Sequence, residues 1–409
     1  MGTVRVLKEA EGTAPAANYG VIYMDTADNK IKFKDDRGVV SILSSTNLRS
    51  ANYIDNGGMM IQQKIAVAST AIAGITTTTR AGVVADRWAV TTSVASNLNW
   101  QQVDTSAAAE AGLSARYYGS IISTNAGKKV MLSQWLINRD IANLRGKKVR
   151  LTVNIKQKVG SAQTYKLGLL QLTAAGTIDV SPAFLTGAWS TTTGVDPAWG
   201  TNLSPITPQS TGMRNGTISG NFLAITTSAA WQKCSVVFTL PADFKNLVPV
   251  IFSDATGGTT DNISLSEISL TIGEDEQDWE EESFDQQLQK CQQFYNKTFA
   301  YGTVPVQNAG AATGSCQNDI VIAGAVALAC TIQWRFPVKM WRTPVTVTSY
   351  SPAAATVEVF NITGAVAHTA TTLIAQLDES VTYTSTGNAA GTVGQRGGLH
   401  ITASAEIVN

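Results

Sequence analysis

The sequence predicts a mainly β protein with two β-sandwiches, a small N-terminal meander and one connecting amphipathic helix. Three observations carry this. Short runs of alternating apolar and polar residues recur along the 409-residue chain, the pattern of strands with one face buried. Thr, Ser and Ala are abundant and there are 34 glycines, which supply turns. Only one long stretch shows helical periodicity, and it lies between two β-rich blocks.

Residues 1–50 form an N-terminal segment and linker. Within it, Gly20–Asp25 (GVIYMD), Lys30–Lys34 (KIKFK) and VVSIL (39–43) are strands separated by the turns TADN and DDRG. Three short strands bury too little apolar surface to stand alone in water, so this meander is expected to associate with copies of itself or with a partner. Residues 44–56, rich in Ser and Asn, read as the linker.

The domain over 51–273 holds clear alternation at Lys147–Lys158, where Val149, Leu151, Val153 and Ile155 occupy one face. Ser235–Leu240, Leu247–Phe252 and Asn262–Ile272 are further strands, and together they predict an antiparallel sandwich. Over 274–297, Phe284, Leu288, Cys291 and Tyr295 recur at spacings of 4, 3 and 4, the stripe of an amphipathic helix. Acidic residues crowd its start, and Lys290 and Lys297 lie near its end, which suits the helix dipole.

In the C-terminal domain, 298–409, the run from Ile320 to Phe336 has bulky residues at even positions, whereas Ala323, Ala325, Ala327 and Ala329 line the odd face. Both faces are expected to be dry, with the alanines forming an oligomer interface. A run this long is expected to bend, near Gly324.

Composition excludes several classes. The chain has 30 basic and 30 acidic residues, so no electrostatic footprint for nucleic acid or an anionic membrane exists. The longest apolar run, Ile320–Ile332, is too short to span a bilayer. The N-terminus MGTVRVLKEAEG has no apolar signal-peptide core. The cysteines, Cys234, Cys291, Cys316 and Cys330, form no CxxC pair and are expected to be free and mostly buried. Neither His368 nor His400 has zinc-ligand spacing, so no metal and no cofactor is expected.

Catalytic candidates are few. Asp254 with Asp261 and Asp378 with Glu379 are the carboxylates to test for glycoside hydrolysis, and solvated loop acids are the simpler reading. His400 sits in an alternating strand and is expected to be structural rather than part of a triad. No enzyme is expected. Recognition of sugars by aromatic stacking is the stronger possibility. Trp189 and Trp199 lie in a long Gly/Ser/Thr/Pro stretch, 181–231, with Asp196 between them to accept hydroxyl hydrogen bonds. The alternative is that both rings fold back and pin the loop to the sandwich. Trp88, Trp231 and Trp334 are expected in the core.

Several segments resemble known families. LQKCQQFYNKTF (288–299) resembles the short Cys-Gln helix of bacteriophage fibre and other virion-surface proteins. In that family a β-sandwich follows, with strands like RFPVKMWRTPVTVTSY (335–350) and LHITASAEI (399–407), both present here in that order. The N-terminal YGVIYMDTADNKIKFKDDRGVVSIL resembles the particle-attachment region of tail fibres. NYIDNGGMM (52–60), DRWAV (86–90) and DNISLSEISLTIG (261–273) resemble the ends of the jelly roll of carbohydrate-binding modules. Gly57-Gly58-Met59 departs there from the family's Gly-Asp-Phe, so calcium binding is not inherited. The resemblance implies a virion protein assembled in the host cytoplasm and exposed on the particle. It implies a homotrimer that meets other virion proteins through its N-terminal segment. The leading role is that of a tail fibre or receptor-binding protein contacting host-surface glycans. The alternatives are a head fibre or capsid-decorating protein and, third, a glycan depolymerase.

Overall fold

A computed structural model of the chain describes residues 52–65, 70–75, 82–94, 96–106, 110–123, 126–180, 183–258, 261–310, 314–319, 321–323, 327–353, 358–361, 366–386 and 396–407, with strands at 7–9, 21–25, 31–34 and 40–42. Residues 1–51 with 275–278 form one unit, and 52–274 with 279–409 form another. In the first unit the expected meander is present as Val21–Asp25, Ile31–Lys34 and Val40–Ile42, paired antiparallel. A fourth strand, Leu7–Glu9, adds to it in parallel, with Leu7 opposite Tyr23.

The second unit begins with a jelly-roll sandwich. One sheet runs, in order of neighbours, Gln232–Thr239, Lys148–Val159, Asn262–Ile272, Tyr117–Ser123, Ser96–Asp104 and Thr70–Ile75. The other runs Thr217–Ser219, Phe222–Thr226, Thr164–Leu172, Asn246–Ser253, Val130–Gln134, Trp88–Thr92 and Gly82–Val83, with Leu203–Pro205 also paired to Thr164–Leu172. Along the chain, Val130–Gln134, Lys148–Val159, Thr164–Leu172, Gln232–Thr239, Asn246–Ser253 and Asn262–Ile272 alternate between the two sheets, as a jelly roll requires. Val149, Leu151, Val153 and Ile155 are buried between the sheets against Leu167, Leu169 and Ile251. Each such side chain contributes roughly 1.5–3 kcal/mol by leaving water.

The polar face of Lys148–Val159 is also covered. Lys156 pairs with Glu110 at 2.5 Å, and Glu267 accepts the backbone N–H groups of Ser114 and Ala115. Glu267 sits at a register shift opposite Thr152 and Asn154, with φ of 51°, so the bulge turns its carboxylate to that loop.

The helix and C-terminal domain dock on the segment that opens the sandwich. Asn56 takes a left-handed φ of 53°. Its amide donates to Ile61 O at 2.8 Å and Asp86 O at 3.0 Å, and accepts from Ile61 N at 2.8 Å. Its own N–H donates to Gln287 Oε1 on the helix at 2.8 Å. Gly57 follows because a Cβ there would lie 1.9 Å from the Ile268 carbonyl oxygen. Across the joint, the Lys297 ammonium donates to the carbonyls of Gln63, Tyr301 and Thr303 at 2.7–2.8 Å. Lys64 pairs with Glu406 at 2.6 Å. Met60, Ile61 and Cys291 form the small apolar centre.

The helix is shorter than its periodicity suggests, Phe284–Gln292. Ser283 caps it in a capping box with Gln286, which sets its start. The acidic run before it is not helical; Glu282 pairs with Lys290 at 2.5 Å, and Glu281 accepts from Arg116 N at 3.1 Å. Of the expected stripe, Cys291 is buried, Leu288 is partly buried, and Phe284 is exposed but edge-on to Tyr301. Tyr295 is buried in a strand, Tyr295–Lys297, because the chain leaves the helix to join the C-terminal sheet.

That sheet is organised around Arg396–Ser404, which pairs with Tyr295–Lys297, Cys316–Asp319, Thr346–Tyr350 and Glu358–Asn361. Val366–Ala370 completes it beside Glu358–Asn361. A second sheet runs Val321–Ala323, Ala327–Arg335, Ser380–Thr386 and Thr372–Gln376. The expected bend is a hairpin, with Ala323 opposite Ala327. Cys330, Ile332 and Trp334 enter the core with Val381, Tyr383 and Ile401, and the intervening Thr331, Gln333 and Arg335 are exposed. The face opposite the core is therefore solvated over 331–335 in the single chain, not dry. Ala325 lies outside the described residues, as do the side chains of Ala323, Ala327 and Ala329. His400 is structural: it is buried, stacks on Phe299 at 4.1 Å, and its ring nitrogens face Thr298 Oγ1 and Gly310 O.

Replacing Asn56 with Ala removes a buried hub, and the second unit is expected to lose roughly 2–4 kcal/mol in urea unfolding. A loss below about 0.5 kcal/mol, the range of ordinary surface changes, would show that the hub is dispensable. Burial lowers the Lys297 pKa to about 8, against an upward pull from Asp86. Between that value and the ordinary 10.5 the unfolded chain binds more protons, so this group's contribution to stability rises with pH across the window. Wild-type stability should therefore climb relative to Lys297→Met from about pH 8 to about pH 10, and a constant difference would refute the shift.

Candidate functional site

Two regions of the second unit bring together chemistry-bearing side chains: the 183–206 excursion and a cleft at the joint. The excursion follows Thr164–Leu172 and lies on the outward face of its sheet. There Phe184, Leu185, Trp189 and Leu203 cluster with Leu170, Val248, Val250, Phe252 and Phe222. Trp189 is only 2% exposed and meets Phe252 edge-on at 5.7 Å. Its indole N–H donates to Val195 O at 3.4 Å. The Lys129 ammonium lies 5.5 Å from its ring centroid and donates to Thr192 O and Val195 O. The expectation of a partly exposed Trp189 is thus corrected, since the ring has no free face for a sugar.

Trp199 is half-buried, edge-on to Phe184 at 5.9 Å and Phe252 at 6.0 Å. Asp196 accepts from Lys166 at 2.6 Å, and the same ammonium lies 2.8 Å from Asp254. Burial alone would lower the Lys166 pKa, but these two carboxylates outweigh it and raise it. One signal in the sequence points to this covering layer. The strand Asn246–Ser253 (NLVPVIFS) is an almost unbroken apolar run and is buried on both faces, as a strand roofed on both sides should read.

Of the two expected carboxylate pairs, one is separated and the other is tied up by a single lysine. Asp254 is tied to Lys166, whereas Asp261 accepts from Gln163 and from Gly258 N. Asp378 and Glu379 both reach the exposed Lys339, at 3.1 and 3.0 Å. Among the described residues no group of three or more His, Cys, Asp or Glu side chains is placed to hold a metal ion.

The cleft, about 250 Å³, was not foreseen in the sequence. It lies between the sandwich's opening segment, the short helix Asn138–Ile141, and the end of helix Phe284–Gln292. On one wall the Arg87 guanidinium rests 3.2 Å from the Phe294 ring centroid, with Nε 3.2 Å from Asp55 Oδ2 and Nη2 donating to Trp135 O at 2.8 Å. Gln134 fixes the Asp55 backbone from both sides, accepting from its N–H and donating to its carbonyl. Around the mouth, Tyr53 OH accepts from Asn143 at 2.8 Å. Arg139 donates to Asp140 at 2.9 Å and to Gln293 Oε1 at 3.1 Å. The site is a mixed recess, in which charged and polar groups share the lining with Leu136, Ile137, Ile141 and Phe294, and Tyr53 stands beside them. Its residues come from positions 52 to 294, and no local pattern could have gathered them.

A two-sheet antiparallel sandwich bearing such sites is the class of protein the geometry defines. Similarity to solved structures is partial. The enzymatically active domain of bacteriophage CBA120 tailspike protein 4 is 10% identical, with a TM-score of 0.30 over 54% of this chain and 21% of that one. A Clostridium thermocellum xylanase with a family 22 carbohydrate-binding module, complexed with xylohexaose, is 11% identical, with a TM-score of 0.27 over 54% of this chain and 30% of that one. A carbohydrate-binding module in complex with beta-1,4-galactotriose is 10% identical, with a TM-score of 0.28 over 55% of this chain and all of that one. The chain thus spans under a third of the tailspike and xylanase chains. No protein-family model matches the chain, and no curated protein matches it either.

Trp189→Ala should act on folding. Loss of a large ring from a filled cluster is expected to cost about 3–5 kcal/mol. Unchanged thermal stability would mean that the loop does not pack as described.

Proposed function

We propose that this chain is a bacteriophage virion fibre protein, a homotrimeric tail fibre or receptor-binding protein that contacts host-surface glycans. The observation that carries the reading is a convergence in space. The three segments that resemble the virion-fibre family meet on one sheet: Tyr295 and Thr346 both pair with Ser404, and Tyr350 pairs with His400. A resemblance scattered over more than a hundred residues thus corresponds to one packed module. Glycan contact is the finer part of the proposal. It is supported by the sequence likeness to carbohydrate-binding jelly rolls and by the recess between the sandwich and the helix, which offers hydrogen-bonding groups.

One observation favours the second reading, a head fibre or decorating protein: Trp189, a leading candidate for sugar stacking, is used up in packing. Catalysis is not part of the proposal, and a reducing-sugar assay on host polysaccharide is expected to show no release. The purified chain is expected to adsorb to host cells and, with a labelled C-terminus, to appear on the tail in particle images. Label on the head, with no adsorption, would replace the receptor reading by decoration. Light scattering should give three copies per particle in solution, and a stable monomer at micromolar concentration would remove the trimer.

A further inference from the structure

We propose that the cleft at the joint binds a single neutral sugar ring at the end of a glycan. This rests on the glycan-binding reading above and moves its contact site away from the tryptophan loop. Size comes first. At about 250 Å³ the recess falls just below the range of roughly 300–1,000 Å³ typical of pockets for drug-sized ligands, which suits one small polar ring.

Charge comes second. The cations of the lining are each met by a carboxylate: Arg87 by Asp55, Arg139 by Asp140, and Lys290 by Glu282. With Asp55 and Asp140 in the lining and Glu282 just outside it, each cation is already paired, so an acidic sugar or phosphate gains little there.

Hydrogen-bonding capacity comes third. A guanidinium has five N–H donors and a carboxylate about four acceptor positions. Arg139 spends one donor on Asp140 and one on Gln293, and its side chain is 57% exposed. Asp140 is 49% exposed, and Arg139 engages its Oδ1. Donors from Arg139 and acceptors from Asp140 and Gln293 therefore share one lining with Tyr53. Vicinal hydroxyls both donate and accept, and they match such an array better than a purely apolar or charged ligand does. The wall behind is fixed by the Arg87–Phe294 stack, so little ordering is required on binding. Because sandwich and helix both contribute, an occupied cleft also fastens the joint and raises its melting temperature.

The test is saturation-transfer NMR on the full chain with glucose, galactose and N-acetylglucosamine as separate probes. At least one should show transfer, and it should fall about tenfold or more in Arg139→Ala and Gln293→Ala, with transfer unchanged in Lys339→Ala. The first two variants alter half-buried or exposed positions, and circular dichroism confirms that they fold. No transfer from any of the three probes overturns the proposal, as does transfer that survives in the double variant. Host-cell adsorption separates this from the broader reading. If wild type adsorbs and the double variant adsorbs equally, the cleft assignment falls and the receptor role stands. If wild type fails to adsorb but the sugar signal obeys the variants, the cleft stands and the receptor role falls.

Discussion

The left-handed turn at Asn56 is the constraint on which the second unit depends. Its side chain saturates the backbone of Ile61 and Asp86, its N–H reaches the helix through Gln287, and its carbonyl accepts from the Trp88 indole at 3.1 Å. One residue thus ties the first sandwich's core to the element that leads into the second. The surrounding groups are polar and buried: Gln62, Gln63, Asp86, Gln287 and Lys297. Burying such groups costs several kcal/mol each unless they are paired, so the joint forms in one arrangement or not at all. Its apolar share is Met60, Ile61 and Cys291 at the centre, with Phe294 and Ile407 packed beside Trp135 and Ile137 of the sandwich. Asp86 shows the tension. Desolvation raises its pKa, against the attraction of Lys64 and the hydrogen bonds from Gln63 that lower it.

Strands were legible because alternation is a local property. Asn262–Ile272 has the same ends in the sequence pattern and in the structure, and Lys148–Val159 differs by one residue at each end. The helix was legible as to existence but not as to start. Glutamates favour helix by propensity, yet the capping box at Ser283 fixes the first turn, and the preceding acids satisfy partners elsewhere. The alanine-lined run showed its bend for the same local reason: a strand of that length is improbable, and glycine marks the place.

What remained hidden was long-range. Whether Trp189 faces water or Phe252 depends on a sheet face assembled from strands distant in sequence, and the loop itself has no periodicity to betray its orientation. The covering layer had a signature, but it lay in the roofed strand rather than in the roof. The joint had none. Asn52–Gln63, Arg87, Gln134, Gln287 and Lys297 are unremarkable one by one, and only their pairing makes them a unit. The Asn-Gly-Gly opening was visible as a motif; its cause, a carbonyl of Ile268 where a Cβ would sit, was not.

The same economy bears on function. A formally neutral chain has no long-range field to steer a charged partner, so any recognition it performs must come from short-range fit. The described surface gives few places for that. The outward face of one sandwich sheet is roofed by the aromatic excursion, and the polar face of the other is closed by the loop that carries Glu110 and donates to Glu267 of the strand Asn262–Ile272. With both faces covered, the proposed recognition falls where separate elements meet, because packing there leaves a recess with fixed walls. A weak single-ring contact at such a place would gain strength from repetition rather than area. In the proposed trimer, three copies would raise the effective concentration of each site for a multivalent surface, and the gain would survive only if the joint held the sites in register. Asn56 and the cleft are linked through Arg87 and Asp55: the chain that turns at Asn56 carries Asp55, whose carboxylate meets Arg87 against Phe294 in the cleft wall.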